Sequence, residues 1–119
     1  MDKKFTVGVI RVLTSDDPEF VGMHGRFIEV HYPGIRCVSK CIPDQPEGIH
    51  SHELERIAVP KVVETAKSFE DVDMIIVSCA DDPGVPEVRK ALPGIPVTGG
   101  GETTAALALR YGEKIAVLG

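Results

Sequence analysis

The chain is missing the marks of several broad protein classes. No apolar run in its 119 residues approaches the roughly 18 needed to cross a bilayer as a helix. The first apolar run, residues 5–10 behind Met1, Asp2, Lys3 and Lys4, is too short for a secretory signal and has no small-residue cleavage site after it. Cysteine is scarce, and three is an odd count, which argues for free thiols in a reducing compartment. Basic residues are outnumbered 13 to 18 by acidic ones, giving a net charge of −5 with no basic run. Nucleic acid is therefore not an expected partner, because phosphate binding needs a positive patch. There is no internal repeat and no flexible linker. What is present, 43% hydrophobic and 26% charged residues, fits one soluble, cytoplasmic domain. A chain of this size buries roughly two thirds of the surface its unfolded form exposes.

Short apolar runs alternate with segments of helical period. Residues 5–12 read as a buried strand, after which Asp17 offers a helix cap and Pro18 a first turn. Phe20, Val21, His24, Phe27, Ile28 and His31 follow at helical spacing. Residues 35–42 form a second strand and 43–50 a turn-rich loop. Leu54, Ala58, Val62, Ala66 and Phe69 mark a helix stripe that Pro60 either kinks or restarts. Residues 74–77 are a pure apolar strand. Asp82 and Pro83 repeat the cap-plus-proline start of a helix, with Val85, Val88 and Leu92 as its stripe. A short strand at 95–98 opens into Gly99, Gly100 and Gly101, then comes a helix at 105–109 and a last strand at 115–118. The order βαβαβαβαβ, with strands this apolar, predicts a three-layer α/β fold: a doubly wound, mainly parallel sheet covered on both faces.

Residues 105–109 are apolar on every side of their helix, which calls for burial on more than one face. The predicted last strand ends at Gly119 with no covering helix. Two readings fit: a piece of a larger α/β protein, or a small domain whose edge strand is buried by self-association. Either predicts a homo-oligomer or another chain over that face.

In such sheets ligands sit beyond the carboxyl ends of the strands. Cys79 follows an apolar strand and shortly precedes a helix, where the helix dipole favours a thiolate, while Asp81 and Asp82 oppose it. A buried, unreactive thiol is the competing reading. Gly99, Gly100, Gly101 and Glu102 open a helix and could hold an anion on bare amides, or simply make a tight turn needing glycine torsions. They match neither a dinucleotide fingerprint nor a phosphate loop. Arg11, at a strand end, is an anion clamp or a surface ion pair. Cys37 and Cys41 lie roughly 13 Å apart along a strand, too far for a disulfide. With His50 and His52 their spacing fits no usual zinc pattern, so no metal is expected. His24 and His31 receive no role.

Residues 75–85, with Cys79, Asp82, Pro83 and Gly84, continuing to Arg89, resemble the aspartate/glutamate/hydantoin racemase superfamily, in which an apolar strand leads to a catalytic cysteine. The segment Ile95, Pro96, Val97, Thr98, Gly99, Gly100, Gly101, Glu102 is similar to a second block of that family, at the right distance. Cys79 followed by Ala80 and Asp81 departs from the Cys-Asn-Thr of aspartate and glutamate racemases and is closer to the hydantoin branch. The resemblance covers the N-terminal half of a typical member. It implies residues 1–100 as a first lobe and 101–119 as the start of a second. It also implies a small-molecule substrate, no cofactor, and racemisation by two cysteines on opposite faces of an α-carbon. Cys79 matches the first cysteine. Ser78, Gly99, Gly100, Gly101 and Glu102 would bind the polar end of the substrate, with Arg11 and Thr14 as further contacts in place of the family's asparagine. Decarboxylation or isomerisation by a single cysteine, and a non-catalytic ligand-binding domain, remain as alternatives.

Overall fold

The computed structural model describes residues 3–118; Met1, Asp2 and Gly119, at the ends of the segments discussed above, lie outside the described residues. Among these residues four parallel strands alternate with four helices: β1 (Phe5–Arg11), α1 (Pro18–His31), β2 (Ile35–Cys41), α2 (His52–Lys67), β3 (Met74–Ser78), α3 (Val85–Ala91), β4 (Val97–Gly99) and α4 (Gly100–Ala108). The strand order is β2-β1-β3-β4. Val7 pairs with Cys37 on one side and Met74 on the other, and Val77 pairs with Gly99. The α/β fold with a parallel sheet is as the alternating pattern predicts. The chain winds outward from β1 to β2, then crosses back to β3 and β4. Right-handed crossovers therefore put α1 on the opposite face from α2 and α3, which pack on each other.

The central strand β1 is buried from Thr6 to Arg11, which is why it reads as a continuous apolar run. Beneath α2 and α3 the core joins Ile10, Ile42, Ala58, Val62, Ala66, Ile75, Val77, Val85 and Val88. Each such buried Val or Ile contributes roughly 1.5–3 kcal/mol relative to exposure.

Helix boundaries follow local chemistry. Asp17 caps α1, its side chain accepting the Glu19 N–H at 3.0 Å, with Pro18 in the first turn. Ser51 caps α2 by accepting the Leu54 N–H at 3.2 Å. Pro60 lies inside α2 without restarting it. Both Pro60 and Arg56, whose carbonyl loses its helical donor, lie on the exposed side of α2.

Three expectations need correction. Asp82 does not cap the helix that follows it: α3 starts at Val85 with Gly84 at its N-cap, φ +79°, and Asp82 serves a different helix. Phe27 and His31 face outward, stacked on each other at 4.4 Å, rather than inward with Phe20 and Ile28. Residues 115–118 form no strand. A four-residue apolar run needs a neighbour to complete its ladder, and this one lies exposed, with Ile115, Ala116 and Val117 closing a cleft instead. No residue of α4 is buried, so the burial on more than one face that its all-round apolar residues call for is not met among the described residues. Among the described residues no helix is long and apolar enough to cross a membrane.

Candidate active site

The strand order reverses between β1 and β3, and a crevice opens beyond the carboxyl ends of strands at such a point. There the structure forms a cleft of about 490 Å³. Its walls are the end of β3 (Ser78, Cys79 and Ala80), the face of α4 from Gly100 to Ala108, the passing residues 115–117, and His24 from α1. Among the described residues no Asp, Glu, Lys or Arg lines it.

Cys79 is half-buried and free. The dipole argument from sequence is corrected in two ways. The helix start lying against the Cys79 backbone is that of α4, since a Cβ on Gly100 would sit 3.5 Å from the Cys79 carbonyl oxygen. The thiol is also pushed up from its ordinary value, not down: burial is the main cause, and the Asp81 and Asp82 carboxylates add to it. Backbone N–H groups of Asp81 and Ala80 pull the other way without winning. At neutral pH Cys79 stands as a thiol.

The glycine run is explained by Asp82. This residue sits in the left-handed region, φ +53°, and turns its carboxylate onto the first turn of α4. One oxygen accepts the Gly101 N–H at 2.8 Å and the other the Glu102 N–H at 2.7 Å. A Cβ on Gly99 would meet Asp82 Oδ1 at 2.1 Å, and one on Gly101 would meet the Ala80 carbonyl oxygen at 2.1 Å. These glycines are required by close approach, not by positive φ, and the anion on their amides is the chain's own. Glu102 is engaged too: its side chain pairs with Arg89, lies 3.3 Å from Thr98 Oγ1, and accepts the Gly99 N–H at 3.4 Å. The Arg89 hydrogen bond holds its carboxyl below the usual range. Of the predicted anion-binding segment, Gly100 and Gly101 reach the cleft wall, while Gly99 and the Glu102 side chain do not.

Arg11 and Thr14 also lie away from the cleft lining. Arg11 is buried, donates to the Phe20 carbonyl and stacks on the Phe20 ring at 4.6 Å, tying β1 to α1 rather than forming a surface ion pair. Thr14 donates to the Ile42 carbonyl at 2.6 Å and accepts the Gln45 N–H at 2.7 Å, fastening the loop after β2. Cys37 and Cys41 are free on β2, while His50 and His52 pair loosely with Glu47 and Glu55. Among the described residues no group of three His, Cys, Asp or Glu side chains converges to hold a metal.

One residue escaped the sequence reading. His24 Nδ1 and Ser78 Oγ share a hydrogen bond of 2.7 Å, joining α1 to the residue before Cys79. Burial and then the Arg11 cation lower its pKa, so the imidazole is neutral. The available signal was its place on one helical stripe with Phe20 and Ile28, in the helix that leaves the carboxyl end of β1.

The family model for Asp/Glu/hydantoin racemase matches residues 30–119. The chain belongs to that family. A solved structure, the allantoin racemase from Klebsiella pneumoniae, superposes on this racemase-family chain with a TM-score of 0.76 at 25% identity. The match covers 90% of this chain and 44% of that one, so the chain spans less than half of its neighbour's length. No curated protein matches it.

Proposed function

We propose that the chain carries the Cys79 side of a cofactor-independent racemase site for a neutral ring ureide of the hydantoin or allantoin type. The observation that carries this reading is a Cys79 thiol on the wall of a switch-point cleft without a charged lining residue. An amino dicarboxylate would need a cation there to offset its desolvation, and on this side of the site none of the described lining residues supplies one. A ring ureide brings no charge, and its α-hydrogen is acidified by the flanking carbonyl. The allantoin racemase neighbour supports the same choice.

In this mechanism a base on one face of the ring takes the α-proton and the electron pair moves into the carbonyl as an enolate. Cys79 Sγ–H then gives its proton to the carbon on the opposite face. A thiolate and a protonated base remain, and the reverse passage restores both. The raised thiol pKa suits Cys79 to the acid step. The base is expected from outside these residues, in the second lobe of the family fold, which residues 101–119 would begin after a first lobe of 1–100. Ser78 and Gly100 would border the ring. A soluble cytoplasmic protein, oligomeric through the exposed face of α4, fits this role.

The test is protection of Cys79. Iodoacetamide labelling, followed by mass spectrometry, should slow at Cys79 when 5-methylhydantoin or allantoin is added, and not when aspartate or glutamate is. Protection by aspartate alone would reverse the substrate assignment. Labelling unaffected by any of the four would remove the cleft from consideration as a binding site.

A further inference from the structure

A ureide ring taken into an apolar cleft must find hydrogen-bond partners for its carbonyl oxygens or lose the bonds it made to water. The cleft offers few side chains for this. Thr104 Oγ1 already donates to the Gly100 carbonyl at 2.7 Å. Cys79 is the reacting group in the racemase reading, and Ser78 Oγ is engaged by His24 Nδ1. Among the described residues His24 Nε2 makes no hydrogen bond, and His24 lies on the cleft wall.

We infer that His24, resting on the racemase reading above, is a substrate-contacting residue: its ring, fixed through Nδ1 to Ser78, presents Nε2 to a carbonyl of the ureide. In the proposed arrangement the Ser78 hydroxyl is the donor to Nδ1. When Ser78 donates to Nδ1, the single proton of a neutral imidazole resides on Nε2, which then donates to the carbonyl. Burial and then the Arg11 cation oppose a second proton, and among the described residues no carboxylate lines the cleft to favour one. The contact is thus a neutral donor suited to an uncharged ligand. It also ties recognition to the neighbour of Cys79, because Ser78 and Cys79 are consecutive at the end of β3.

The test uses the full chain with histidine labelled by nitrogen-15 and 5-methylhydantoin as probe. Saturation with the probe should move the His24 Nε2 resonance and leave those of His31, His50 and His52 in place. His24→Asn keeps a polar atom near the Nδ1 position for Ser78 but deletes Nε2, and should bind the probe about tenfold more weakly. His24→Gln returns an amide near the Nε2 position and should recover part of that loss. A purely structural role would instead lower the melting temperature and change the labelling rate of Cys79 without probe, with no Nε2 shift and no rescue by Gln. Unchanged probe affinity in His24→Asn, beside Cys79-dependent deuterium exchange of the probe, would overturn this inference and leave the racemase reading standing. A wild-type chain that does not bind the probe at all would overturn both.

Discussion

Asp82→Ala is the sharpest test of how the site is built. The wild-type carboxylate accepts two backbone N–H groups of α4, at 2.8 and 2.7 Å, and occupies the space a side chain on Gly99 would need. Deleting it leaves the Gly101 and Glu102 N–H groups without their acceptor, while the Glu102 side chain still takes only the Gly99 N–H, a loss of about 2 kcal/mol for an anionic cap at a helix N-terminus. Position 82 is also left-handed, φ +53°, where alanine costs about 1 kcal/mol more than aspartate or asparagine. The variant should therefore lose about 3 kcal/mol, a melting temperature lower by about 10 °C for a domain of this size. Asp82→Asn keeps one acceptor oxygen and tolerates the backbone, and should lose about 1 kcal/mol. Calorimetry at neutral pH measures both. Amide hydrogen exchange at Gly101 and Glu102 should accelerate in Asp82→Ala before the sheet opens. If the two variants melt within a degree or two of each other, or Ala melts as the wild type does, the carboxylate does not hold α4.

The other expectations follow from the same geometry. Gly101→Ala, whose Cβ would lie 2.1 Å from the Ala80 carbonyl oxygen, should cost about 1–3 kcal/mol in urea titration even though alanine is the better helix former. Arg11→Met removes the cation beside His24, so the His24 titration followed by NMR should move up toward the ordinary histidine value, with labelling of Cys79 unchanged. Folding favours the neutral form of both Cys79 and Cys37, whose pKa values are raised chiefly by burial. The stability they contribute is complete below the ordinary thiol range and is lost as pH rises through the raised values. The alkaline fall in melting temperature should accordingly be shallower in Cys79→Ala than in the wild type.

The strands were legible because a parallel sheet buries both faces: residues 5–11 and 74–78 are apolar runs for the same reason that they are central. The last strand was not, because residues 115–118 have the composition of a strand and no neighbour to pair with. Cys79 was placed at the strand end by pattern alone, but its protonation was misread. The sign depends on how deeply β3 and α4 bury it, and burial at a strand end is a tertiary property. Asp82 and the glycine run were read as separate elements, a cap for α3 and an anion site. They form one contact across 19 residues that no local rule connects. His24 and Ser78, 54 residues apart, meet only because the chain reverses direction between β2 and β3.

The central claim is that the Cys79 thiol moves a proton at the carbon beside a ureide carbonyl. Deuterium incorporation at C5 of 5-methylhydantoin, followed by proton NMR in D2O with the full chain, measures that step directly. Without the opposite base it runs through the small thiolate fraction of Cys79, which takes the proton on the face where the thiol otherwise returns one. Exchange should exceed the buffer rate with the wild type, fall to the buffer rate with Cys79→Ala, and show no loss with Cys37→Ala or Cys41→Ala. Exchange that persists in Cys79→Ala would contradict that claim.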